Sequence, residues 1–256
     1  MLYYTGEISA DDYEKSKRKF SHKDSGGCWL LSVAWLKLMF NDGIIERDNL
    51  IKAANAAVIF REGIKKDENH YLTSNKLKAR ADIRLAKLDK VVLSGNSVLL
   101  TNAANFRLFE NINLRRIDTN NKFQVAKFNE ASNNGCDFLL FLYGLKRIGA
   151  SGWFFENIET AIDSLFFAKN QKADGILIYI QYKGASGGHA VALYSPSFYK
   201  NGIRHPVGYM MGYDSNFGEF IFDIHSSSLW INKVASFKKE ISAISFTYVQ
   251  EMAFSH

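Results

Sequence analysis

The chain has 256 residues, of which 47% are hydrophobic, and it carries a net charge of +6. That length and apolar content suffice for a sizeable core and exclude a disordered chain, while the absence of any run of about eighteen apolar residues excludes a bilayer-spanning helix. Two cysteines, Cys28 and Cys136, are too few for a disulfide framework and lack the paired spacing of a zinc site, so a reducing compartment is expected, with no metal or other cofactor.

The opening "MLYYTGEISADDYEKSKRKF" lacks the charged-then-apolar layout of a signal peptide, and Leu2 rules out N-myristoylation. Residues 28–40, "CWLLSVAWLKLMF", are apolar on nearly every face, which predicts a buried helix. "DNLIKAANAAVIFREG" is amphipathic and closes on Gly63 at a C-cap position. "EKSKRKF" and "KLKARADIRLAK" are short basic clusters and read as solvated helix faces. Because Lys and Arg are otherwise dispersed and no recognition motif accompanies them, nucleic acid is not an expected partner; weak contact with an anionic membrane surface is more compatible. "NIETAIDSLFFAKN" predicts a helix opened by Asn157. From about residue 175 the texture changes. "GILIYIQYKG", "HAVALYS", "PVGYMMGYD", "GEFIFDIHS" and "AISFTYVQEM" are rich in β-branched and aromatic residues and are cut by turn residues, which predicts an antiparallel sheet. With no repeat and no Pro-rich linker, a single α+β domain is expected over residues 1–256, helical to about 174 and sheet-rich thereafter.

Between the second and third of these strands stands Asn201-Gly202, a strong hairpin signal because both central positions of a type I′ turn need positive φ. A hairpin centred there sets His189 directly opposite Asp214 on one face of the sheet. Pro196 and Pro206 interrupt the ladder near the tip; an even shift of register keeps the shared face, and an odd one destroys it. A histidine backed by a carboxylate is an oriented imidazole. The matching nucleophile is Cys28, which "SGGC" delivers to the start of the buried helix, where free N–H groups and the dipole favour a thiolate. Gly26 and Gly27 let a substrate carbonyl approach, and the Cys28 amide can donate to an oxyanion.

Three motifs, "GGCWLLSVAWL" around Cys28, "GGHAVAL" around His189 and "YDSNFGEF" around Asp214, resemble the YopT-type cysteine proteases of bacterial effectors, whose fold is papain-like. The last is similar to that family's Asp-x-Asn-x-Gly-Glu-Phe segment. The resemblance covers about thirty residues and implies Cys28 as nucleophile, His189 as general base and then acid, and Asp214 as orienting group; Gly27, Trp29 and Gly188, which flank the cysteine and the histidine, are the expected substrate-site residues on position alone. It further implies a monomeric virulence protein delivered into a host cell without a cleavable signal peptide, cutting a protein substrate such as a small GTPase in the cytoplasm or at a membrane. Two features depart from the family. The window before the cysteine, His22, Lys23, Asp24 and Ser25, has no Asn or Gln to complete the oxyanion hole, and the segments between the motifs are longer.

Each residue also has a plainer reading. Cys28 could be a small core hydrophobe, His189 a hydrogen-bonded core residue, and Asp214 with Gly218 a tight turn. Cys136, in "NNGCDFLLFLYGLK", is a rival nucleophile. Glu219 is expected to pair or cap locally, and Trp29 and Trp35 belong to the core, with Trp29 also able to wall a cleft. His22, His205 and His225 are too scattered for a metal site. The same triad also serves a glutamine deamidase, a transglutaminase or an acyltransferase, and a binding module would need no reactive thiol.

Overall fold

The computed structural model describes residues 2–3, 27–61, 68–93, 120–149, 151–155, 160, 173–183, 188–224, 230–231 and 240–252. The expected α+β class is the observed one: a buried helix packed on a largely antiparallel sheet. Helix α1 (Gly27–Asn41) has no polar face, and Trp29 to Leu36 together with Met39 are all buried. A helix apolar all round must be enclosed, and this one is covered by the sheet on one side and by other helices on the other. Helix α2 (Gly43–Arg61) follows after a bend of 81°, α3 is Glu68–Leu93 and α4 is Lys122–Leu142. Among the described residues no single helix is long and apolar enough to cross a membrane.

Helix α2 thus begins earlier than its amphipathic pattern suggested. Gly63, which was expected to close it, and almost all of the expected helix at 157–170 lie outside the described residues. Helix α4 was not foreseen, because its first half is polar, but its start is well marked: the Asn121 side chain accepts the Phe123 and Gln124 amides at 3.1 and 3.2 Å.

The strands are β1 (Leu2–Tyr3), β2 (Leu145–Ile148), β3 (Trp153–Phe154), β4 (Gly175–Tyr182), β5 (Gly188–Tyr194), β6 (Ser197–Lys200), β7 (Ile203–Pro206), β8 (Tyr209–Asp214), β9 (Gly218–Asp223) and β10 (Ile241–Glu251). The main sheet runs β1-β9-β8-β5-β4-β10-β2, with β3 also on β10 and only the β1–β9 pair parallel. The boundary expected near residue 175 is therefore not clean, since β1, β2 and β3 come from the helical part of the chain. Both faces are covered. Leu177, Ala190, Ala192, Met211 and Tyr213 pack toward α1, while Ile178, Val191, Leu193, Phe220 and Phe222 pack with Trp230 on the far side. That double burial explains why the strands read as nearly continuous apolar runs.

Strands β6 and β7 form a separate ribbon, with Asn201 at φ 52° and Gly202 at φ 74° as the hairpin chemistry requires. Its register, from Lys200↔Ile203 to Ser197↔Pro206, is the one expected from a turn centred on Asn201-Gly202. Beyond the prolines the register changes. Residues 195 and 196 on one side face residues 207–210 on the other, so the main ladder resumes at Tyr194↔Met211 and Asp214 lies opposite Val191 instead of His189. The shift is even, and the two side chains keep one face, now as diagonal neighbours.

The helices are bound to the sheet by a buried ionic cluster that corrects the reading of "KLKARADIRLAK". Arg84 is 1% exposed. Its Nε and Nη2 donate to the two carboxylate oxygens of Glu219 at 2.6 and 3.0 Å, and its Nη1 donates to Glu46 at 2.7 Å and Asp42 at 3.1 Å. Trp35 Nε1 on α1 donates to the same Glu219 at 2.6 Å, and Arg80 pairs with Glu46 and Asp42. Glu219 therefore binds 135 residues away, not locally. Burial opposes the charge on Arg84, but the Glu219 and Glu46 carboxylates outweigh it and hold the guanidinium protonated.

Replacing Arg84 with Met should cost about 3–5 kcal/mol, because Glu219 would be left buried without a cation and Glu46 would keep Arg80 alone. Arg84→Lys should recover little, since an ammonium cannot reproduce the two-pronged contact. Urea unfolding followed by tryptophan fluorescence reads both values, and a loss below about 1 kcal/mol for Arg84→Met would mark the cluster as dispensable.

Candidate active site

Cys28 is the second residue of α1, and its direction is set one turn further on. Ser32, at the i+4 position, lies on the same side of the helix and donates from Oγ to the Ala190 carbonyl on β5 at 3.1 Å. The Cys28 thiol is thereby carried to the end of β5, where His189 precedes Ala190. Cys28 is half-buried and unbridged.

His189 is 9% exposed and Asp214 is fully buried. His189 Nε2 donates to Asp214 Oδ2 at 2.7 Å, and the Cys28 side chain lies close enough to act on the same ring. With Nε2 committed to the carboxylate, Nδ1 is the ring atom left for the sulfur, which fixes the tautomer a proton-accepting histidine needs. Burial opposes an imidazolium here, but the Asp214 charge and hydrogen bond, joined by the Cys28 side chain, prevail and raise the His189 pKa well above its ordinary value.

Asp214 also does what its plainer reading expected. Its Oδ1 accepts the Asn216 amide at 2.7 Å, the Phe217 amide donates to the Asp214 carbonyl at 3.2 Å, and Gly218 takes φ 96°. The turn and the histidine contact use different oxygens, so the turn fixes the carboxylate while leaving Oδ2 for the ring.

The three expected substrate-site residues fall differently. Among the described residues, a Cβ on Gly27 would meet nothing within 4 Å. Trp29 is 4% exposed and packs edge-on to Tyr179 at 5.7 Å, as its core reading expected. Gly188 is sterically required: a Cβ there would lie 2.4 Å from the Ile180 carbonyl and 2.7 Å from the Tyr179 ring. Tyr179 was not singled out from the sequence. The available signal was its place on β4, paired with Ala190 and so diagonal to a glycine beside the histidine.

Cys136 is buried on α4, with Thr247 as its hydrogen-bond partner at 3.9 Å, and burial pushes its thiol up to about 12. His205 stacks on Phe198 in the ribbon, away from this site. Gly26, His22, Lys23, Asp24, Ser25 and His225 lie outside the described residues, so the upstream candidates for an oxyanion donor have no structural account. Among the described residues no cluster of His, Cys, Asp and Glu could hold a metal.

No protein-family model matches the chain, and no curated protein does. Among solved structures it is similar to the Pseudomonas avirulence protein AvrPphB, with 14% identity and a TM-score of 0.49 over 94% of this chain and 100% of that one.

Two outcomes follow from this geometry. Iodoacetamide at about pH 6 should alkylate Cys28 and leave Cys136 untouched until the protein is unfolded, since alkylation needs an accessible thiolate; peptide mass mapping reads the order, and faster labelling of Cys136 would overturn the assignment. The raised value of His189 also sets a sign for stability. Its contribution is fully present below the ordinary imidazole value of about 6.5 and is lost as pH rises through the raised folded value. The stability margin of the native chain over Asp214→Asn should therefore shrink as urea titrations move from near-neutral to alkaline pH; a margin that grows would contradict the charged pair.

Proposed function

We propose that this chain is a single papain-like catalytic domain of the YopT type that cleaves an amide bond in a protein substrate through Cys28, His189 and Asp214. The observation that carries the reading is one buried imidazole hydrogen-bonded at Nε2 to Asp214 and close to the Cys28 side chain at the start of an enclosed helix. The His189 ring takes the thiol proton, the Cys28 sulfur attacks the carbonyl carbon, and the imidazolium returns the proton to the leaving amine. Water then attacks the thioester, with His189 again as base, and frees the acid and the thiol. Asp214 holds the ring in its tautomer throughout. The α1 N-terminus supports negative charge at the sulfur, and the Cys28 amide is one donor to the tetrahedral oxygen.

The wider reading is a secreted virulence protein, monomeric and acting inside a host cell, with a host signalling protein such as a small GTPase as substrate. The three sequence motifs support it. The net charge of +6 does not favour grip on a polybasic tail, so recognition through another part of such a substrate is the version we put forward.

Treating host-cell lysate with the native chain and with Cys28→Ala, then mapping new protein amino termini, tests the proposal. Termini that appear only with the native chain, vanish in His189→Ala and fall by up to about 10⁴-fold in rate in Asp214→Asn support proteolysis. Glutamine-to-glutamate conversion without cleavage would assign a deamidase, new cross-links or acyl conjugates a transferase, and no Cys28-dependent product of any kind a binding module; each of these three results rejects the protease.

A further inference from the structure

Among the described residues the Cys28 amide is the one donor assigned so far to a tetrahedral oxygen, whereas carbonyl addition by a thiolate is helped by two. A candidate for the second lies between the two halves of the site. Tyr179 on β4 touches residues adjoining both the thiol and the imidazole: its ring is edge-on to Trp29, the residue after Cys28, and lies against Gly188, the residue before His189. The ring carbon that bears the phenol oxygen lies against Gly188, and the Cys28 thiol is near enough to act electrostatically on the phenol. Trp153 closes the other edge of the ring at 5.2 Å, so the ring cannot swing away. Among the described residues no acceptor takes the phenol O–H, so its proton is available to a substrate. Burial keeps the phenol protonated, as a donor must be.

We propose that the Tyr179 hydroxyl is the second oxyanion donor, placed toward Cys28 by Trp29, Trp153 and the side-chain-free Gly188. The assignment rests on the thiol chemistry proposed above, and it accounts for the lack of Asn or Gln just upstream of the cysteine. It also gives Gly188 a definite part. Any side chain there would displace the ring whose hydroxyl does the donating.

Two small probes separate this proposal from the reading it rests on, and neither requires the natural substrate. Iodoacetamide reacts by displacement at carbon: the S–C bond forms as iodide leaves, and no oxyanion appears. With p-nitrophenyl acetate the Cys28 sulfur adds to the carbonyl carbon and the π electrons move onto oxygen. On collapse the C–O bond breaks, p-nitrophenolate departs, and the thiol proton remains on His189. Tyr179→Phe keeps the ring packing and removes only the hydroxyl. It should leave the alkylation rate of Cys28 unchanged while slowing acetylation by about 10²–10³-fold, the effect of deleting one oxyanion donor elsewhere. Unchanged acetylation would overturn the proposal, and so would an equal fall in both rates, which would make Tyr179 a support for the thiolate alone. If native Cys28 reacts with neither probe faster than the thiols of the unfolded chain, the thiol-enzyme reading itself fails, and the proposal falls with it.

Discussion

The buried guanidinium of Arg84 is the tie on which the rest of the arrangement depends. It comes from α3, closes on Glu46 of α2, and grips both oxygens of Glu219 at the start of β9, while Trp35 of α1 donates to the same carboxylate. Glu219 pairs across the hairpin with Tyr213, whose ring stacks on Trp35 at 5.5 Å. Asp214 is the next residue. An ion pair this deep is expensive to desolvate and is a weak source of net stability compared with apolar packing. Its effect is geometric: α1 and α3 both donate to one carboxylate of β9, and α2 joins through the same guanidinium, so the hairpin carrying Asp214 cannot slide against the helix carrying Cys28.

Within that frame the candidate site is assembled from positions that each have a separate structural reason. Ser32 fixes the face of α1 turned to β5, the turn at residues 214–218 fixes the carboxylate, and the even register shift keeps His189 and Asp214 on one face. The imidazole is then enclosed between a carboxylate and a sulfur, where burial alone would neutralise it and the Asp214 and Cys28 side chains raise its pKa instead. The same enclosure separates the two cysteines. Cys28 lies at a helix start beside a cation-forming ring, whereas Cys136 lies among apolar neighbours that suppress its ionisation.

Local chemistry was legible in the sequence wherever a short segment determines its own conformation. The all-apolar stretch at 28–40 had to be enclosed, the Asn201-Gly202 turn had to adopt positive φ, and its ribbon register followed directly. Arg84 was legible in part and was missed: Leu77, Ala81, Leu85 and Leu88 are buried at helical spacing, and Arg84 falls on that same stripe, which a solvated arginine would not do. Reading the cluster by its charge instead of its period hid this.

What the sequence determined by itself was the buried helix, the strands after residue 175, the face shared by His189 and Asp214, and the position of Cys28 at a helix start, because each depends on neighbours a few residues away. The tertiary structure decided which partners those residues meet. It set Asp214 opposite Val191, committed Glu219 to Arg84 and laid Tyr179 over Gly188. Those outcomes turn on the number of residues absorbed at an irregular point in a hairpin and on which helix covers which strand. Neither quantity is carried by local propensity, since both are fixed only when distant parts of the chain compete for the same buried volume.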